Sequence, residues 1–158
     1  LREMAGKNII KETEEFYNNF KILGLVTQIT IHRLAWLLNH EFNWSLVRIG
    51  DVILSDYSTI FVANHEHLEN NEQLTVFPIH SYKDEGNKFK VDLINNKYSS
   101  NIFFQELKQF DYIIIFEGEF DFLPQNLLER LKQFPPIQIV SFIENKKIKN
   151  KNLLLSYR

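Results

Sequence analysis

The stretch Phe104-Gln105-Glu106-Leu107-Lys108-Gln109-Phe110-Asp111-Tyr112 runs directly into Ile113-Ile114-Ile115-Phe116. Residues 110 to 116 are too apolar to leave one side wet, which predicts a central strand covered on both faces. The two carboxylates, Glu106 and Asp111, sit at its entrance. Downstream, Pro124 reads as the first position of a helix, because its missing N–H costs nothing there. Leu127, Leu128, Leu131 and Phe134 supply that helix's apolar stripe, and Pro135-Pro136 stops it. Ile137 to Ile143 then reads as a further strand.

Upstream, the clearest helix has Ile31, Leu34, Ala35, Leu38 and Phe42 at spacings of three and four, with Thr27 as the expected cap. A first strand over 20–26 precedes it, with Gly24 as a weak point or bulge. Leu46 to Leu54 reads as a strand with an irregular join at Gly50, followed by strand-like runs at 59–63, 74–82 and 89–94. Lys83 to Asn87 is a hairpin turn in which Gly86 and Asn87 can take positive φ. Short strands joined by turns imply antiparallel pairing. The expected fold class is therefore α+β, a single domain with a mainly antiparallel sheet and two principal helices packed on one face. Residues 1–15 read as a flexible arm and 16–158 as the domain.

Composition narrows the function classes. The 158 residues are 44% hydrophobic and 24% charged, the balance of a soluble globular chain, and the 14 Phe and 6 Tyr predict an aromatic core. With 18 basic against 20 acidic side chains the net charge is -2, so no global field draws the chain to nucleic acid or anionic lipid. Cys is absent, which removes disulfides, thiolate metal sites and Cys nucleophiles and suits a reducing compartment. No apolar secretory stretch opens the sequence, and a cytoplasmic location without membrane attachment is expected.

Several segments, taken in order, resemble the IPExxxVDY proteins, a small bacterial family named for its motif. Here that motif region is residues 104–112, with the Glu, the three-residue spacing and the Asp-Tyr pair in place. Phe104 stands for Ile, Gln105 for Pro and Phe110 for Val. His32 to Asn39, Leu46 to Val52 and Leu93 to Lys97 are similar to further family segments. The resemblance implies a bacterial cytosolic protein and carries over no substrate, cofactor or catalytic residue.

Arg33, Asn39, Arg48, Asp51, Lys97, Glu106 and Asp111 interrupt apolar segments, and with Tyr112 they form the candidate binding set. Two arginines holding an anion beside Glu106 or Asp111 as acid, base or acceptor would make a site. The same residues pairing with one another would merely tie helix and loops to the sheet, and this is the favoured reading. His65-Glu66-His67, with His80 as a third ligand, has a spacing used by metals, as does the cluster Glu117, Glu119 and Asp121; solvated turns are the favoured account of both. His32 and His40 are two helical turns apart and read as surface or partner-facing. Lys146 to Lys151 contains four Lys but no interleaved aromatics, so nucleic-acid binding is not favoured. No catalytic residue, metal or cofactor is assigned. The expectation is a non-enzymatic module that binds protein through a strand edge or the aromatic surface around Trp36, Trp44 and Tyr112, with a homodimer possible. A hydrolytic enzyme is the alternative reading.

Overall fold

Alternating apolar residues divide the sheet into two buried faces, and each face has its own cover. The computed structural model describes residues 19–54 and 75–149, together with the backbone of 59–62. The predicted arm and the His65-Glu66-His67 segment lie outside the described residues. In chain order the elements are β1 (Phe20–Thr27), α1 (Ile31–Phe42), β2 (Val47–Leu54), β3 (Thr59–Val62), β4 (Thr75–Lys83) and β5 (Phe89–Asn95). They continue with β6 (Lys97–Tyr98), β7 (Asn101–Ile102), β8 (Tyr112–Gly118), α2 (Leu127–Lys132) and β9 (Ile137–Ile143). Seven strands form one sheet in the order β3-β2-β4-β5-β8-β1-β9, and β6 pairs with β7 in a separate ribbon. Every pairing is antiparallel.

The fold is the expected α+β domain with both helices on one face. Under the helices, Leu23, Leu25, Val91, Leu93, Ile114 and Phe116 meet Leu34 and Leu38 of α1 and Leu127 and Leu131 of α2. Arg130 fixes the helices side by side: its Nε donates to Glu41 Oε1 at 2.9 Å, a second N–H donates to the Glu41 carbonyl at 2.7 Å, and the guanidinium lies over the Phe42 ring. On the opposite face Ile22, Phe77, Ile79, Ile94, Ile113 and Ile115 are covered by Phe103, Phe104, Leu107 and Phe110. The motif segment is thus the second layer of the core. Burying Phe103 and Phe104, at 2% and 0% exposure, removes about 2–3 kcal/mol of apolar hydration each.

Local chemistry moves several expected boundaries. The cap of α1 is Thr30, whose side chain accepts from the Arg33 N–H, while Thr27 is the last residue of β1. Pro124 does not start α2, because Asn126 has φ 58, a left-handed conformation that a helix interior excludes; helical residues begin at Leu127. The central strand starts at Tyr112 rather than Phe110, which turns back across the sheet. The irregularity in β2 falls between Arg48 and Gly50, as the Gly suggested.

Gly24 is neither a bulge nor a weak point. A Cβ there would stand 2.6 Å from ring atoms of Phe110, so the missing side chain is what lets the motif segment lie flat on β1. Gly24→Ala should cost roughly 1–3 kcal/mol by overpacking. In a Phe110→Ala background the same change should cost measurably less, as a double-mutant cycle in urea would show. Equal costs in both backgrounds would mean that the ring is not the obstacle.

Candidate functional site

Asn96 organises the motif. It is fully buried, its Nδ2 donates to the Leu107 and Phe110 carbonyls, each at 2.9 Å, and its Oδ1 accepts from the Phe104 N–H at 2.8 Å. Its own N–H donates to the Asp111 carbonyl at 2.9 Å, and its carbonyl accepts from the Phe103 N–H at 2.7 Å. One residue thus satisfies five backbone groups between 103 and 111. Buried backbone groups need such partners, and the irregular course of this segment denies them a sheet ladder.

The Asp-Tyr pair carries the tie across β1 to α1. Asp111 Oδ2 accepts from the Thr27 N–H at 3.0 Å, Oδ1 lies 3.3 Å from Lys97 Nζ, and the Asp111 N–H donates to the Leu25 carbonyl at 2.8 Å. Thr27 Oγ1 donates in turn to the Pro136 carbonyl at 2.7 Å. The Tyr112 hydroxyl donates to the Ile29 carbonyl at 2.6 Å. Burial, and then the neighbouring Asp111 carboxylate, hold its phenol above the ordinary value, so it stays a donor. Glu106 Oε1 accepts from the Lys149 N–H at 3.0 Å, beside Ile148, which is buried on the motif face. Glu106, Asp111 and Tyr112 are thus each engaged in holding one segment against another.

The other predicted residues lie elsewhere. Asn39 pairs with both backbone groups of Leu46, at 3.1 and 2.7 Å, and closes the turn after α1. Arg48 pairs with Asp51 at 2.9 Å; Asp51 is buried and Arg48 half-exposed. Arg33 is exposed and, with Thr30, Pro135, Pro136 and Gln138, borders an open depression of about 400 Å³. The two arginines therefore do not converge on Glu106 or Asp111: Lys97 takes Asp111 and a backbone N–H takes Glu106. Trp44 and Tyr112 are buried, so of the expected aromatic surface only Trp36 is exposed, stacked on His40 with ring centroids 5.3 Å apart.

Two further polar groups are in the sheet interior: Asp92, which sequence did not single out, and His80, which it suggested only as a third metal ligand. Asp92 is 1% exposed, accepts from Ser81 Oγ at 2.6 Å and lies 3.2 Å from Lys90 Nζ. The alternation Lys90, Asp92, Ile94 puts both charges on one face of β5, a signal that was available in the sequence. His80 is 4% exposed on the helix face, its Nδ1 has no hydrogen-bond partner, and the His32 ring meets it edge-on at 5.8 Å. Arg48 is its cross-strand neighbour, and Asp51 lies further along β2.

Among the described residues no three His, Asp or Glu side chains are placed to share a metal ion. Glu117, Glu119 and Asp121 flank Gly118, whose φ of 109 brings the Lys88 carbonyl to where a Cβ would stand. Of the lysine run, Lys146 pairs with Glu144 at 3.0 Å, and Lys151 lies outside the described residues. Among the described residues no helix is long and apolar enough to cross a membrane. No family model matches the chain, and no curated protein or solved structure does so either.

His80 makes folding sensitive to acid. Burial first, then the charges of His32 and Arg48, lower its pKa from 6.5 to about 4, with Asp51 opposing. The unfolded chain therefore takes up the proton at higher pH than the folded one. This contribution to stability is complete above about pH 6.5 and is lost as the pH falls toward 4, on the order of 3 kcal/mol in all. Replacing His80 by Gln should remove about 2 kcal/mol of the stability difference between pH 7 and pH 5, read from urea melts. Identical pH dependence in the two proteins would contradict this assignment.

Proposed function

We propose that the chain is a non-enzymatic, protein-binding module of the bacterial cytoplasm, of the IPExxxVDY kind, which engages its partner at the β9 edge of the sheet. The observation that supports this reading is the contrast between the motif and the edge strand β9. The motif's Glu106, Asp111 and Tyr112 are each engaged with another segment of the chain. By contrast β9 ends the sheet among the described strands and pairs there only with β1. Its sequence, Ile137-Gln138-Ile139-Val140-Ser141-Phe142-Ile143, has no charge and no Pro, the devices that ordinarily blunt an edge. Ile139 and Phe142 are 53% and 42% exposed. Phe142 also borders two open depressions, of about 370 and 420 Å³, toward Phe120 and α2. A partner segment in extended form would gain main-chain hydrogen bonds from the edge and side-chain contacts from these residues.

The double variant Ile139→Lys/Phe142→Lys tests the reading. Both side chains are exposed, so its thermal midpoint should stay within about 3 °C of the wild type. Its affinity for the purified protein that associates with the wild-type chain should fall at least tenfold, while Arg33→Ala retains it. A fully folded double variant with undiminished affinity would place the binding surface elsewhere.

A further inference from the structure

We propose that the occupant of the β9 edge is a second copy of this chain, paired antiparallel through β9 about a two-fold axis at Ser141. This rests on the reading of β9 as the binding edge and names its partner. The register follows from the pleat. Val140 and Phe142 lie opposite Leu25 and Leu23 and so point to the helix face; Ile139 and Ile143 lie opposite Val26 and Ile22 and point to the motif face. With Ser141 facing its own equivalent, Phe142 of each copy stands across from Val140 of the other, and Ile139 stands across from Ile143. Directly opposed residues in an antiparallel pair share a face, so the helix face of the junction becomes apolar, the motif face sets an Ile139–Ile143 pair on either side of the two Ser141 residues, and neither exposed apolar side chain is left over. A register displaced by one residue would set Ile139 against residues of the wrong face.

Charge supports the same symmetry. Nothing between Ile137 and Ile143 is ionised, so no like charges oppose each other along the junction. Beside it, Glu129 and Lys132 of α2 border the depression that Phe142 also borders. They are exposed, opposite in sign and three residues apart on the helix that packs over β9. A two-fold axis through the strand pair brings the two copies of α2 to the same side of the junction in antiparallel sense, so residues of opposite sign rather than a single-sign patch flank it on both sides.

The chain has no Cys, so one introduced at the axis reports the geometry without interference. Opposed Cα atoms in an antiparallel pair are about 4.5–5.5 Å apart, within reach of a disulfide. Ser141→Cys should give a disulfide-linked dimer on mild oxidation at least tenfold faster than Ser45→Cys, which is exposed on the turn after α1. Sedimentation equilibrium of the wild type between about 1 and 500 µM should show a monomer–dimer equilibrium, because a seven-residue strand pair with few side chains is a small interface. Ile139→Lys/Phe142→Lys should shift it at least tenfold toward monomer. A wild type monomeric throughout, with Ser141→Cys no faster than Ser45→Cys, overturns the inference. If that monomer still loses a purified heterologous partner on the double substitution, the edge is a binding surface for another protein and only the second copy is refuted. A dimer undisturbed by the double substitution overturns the inference as well, since it would use another face.

Discussion

Asn96 is the constraint on which the rest of the structure depends. A sheet with an interior strand, β8, that is apolar on both sides must be covered twice, and the helices supply only one cover. The other is an irregular segment, 103–110, whose backbone has no strand to pair with over most of its length. Burying unpaired amides and carbonyls would cost about 1–3 kcal/mol for each group, enough to expel the segment. The carboxamide of Asn96 removes that cost by meeting the segment at Phe104, Leu107 and Phe110 together. With its backbone settled, the segment can set Phe103, Phe104, Leu107 and Phe110 on the sheet, and Gly24 gives the Phe110 ring its room.

From that point order passes outward through the Asp-Tyr pair. Asp111 holds the end of β1 at Thr27, Thr27 reaches the start of β9 at Pro136, and Tyr112 holds the β1–α1 turn at Ile29. The turn leads at once to Thr30, the cap of α1. The motif therefore fixes the spacing of both covers relative to one sheet. Its carboxylates have the composition of a catalytic pair and the connections of a clasp. Among the described strands β9 ends the sheet, with an uncharged edge and the exposed side chains of Ile139 and Phe142.

Much of this architecture was legible because it is written in periodicity. The stripe Ile31, Leu34, Ala35, Leu38 and the runs of β5, β8 and β9 specify elements whose faces then have to be buried. Antiparallel pairing followed from the short turns. Boundaries that depend on local conformation and distant partners were not legible: Asn126 in the left-handed region shortens α2, and Thr27 ends β1 with its hydroxyl on the Pro136 carbonyl while Thr30 caps α1. The candidate site was readable as a set of residues and not as a set of partners. Arg48 with Asp51 is a local pair, three apart, that spacing suggests; Lys97 with Asp111 and Glu106 with Lys149 depend on how the chain returns on itself. Asn96 fell within the Leu93 to Lys97 resemblance, but its role was not legible, because one Asn beside another at a strand's end is ordinary turn chemistry until the segment it holds is known.

The most direct test of this account is the stability of Asn96→Ala, followed by urea unfolding with separate probes of the sheet and of the motif segment. Removal of the carboxamide leaves the Phe104 N–H and the Leu107 and Phe110 carbonyls without that partner, and the predicted loss is about 3 kcal/mol or more. Both probes should unfold in one transition, because the segment is a layer of the core. A variant that stays within about 0.5 kcal/mol of the wild type, or whose motif segment detaches while the sheet remains folded, would contradict the architectural role assigned to the motif.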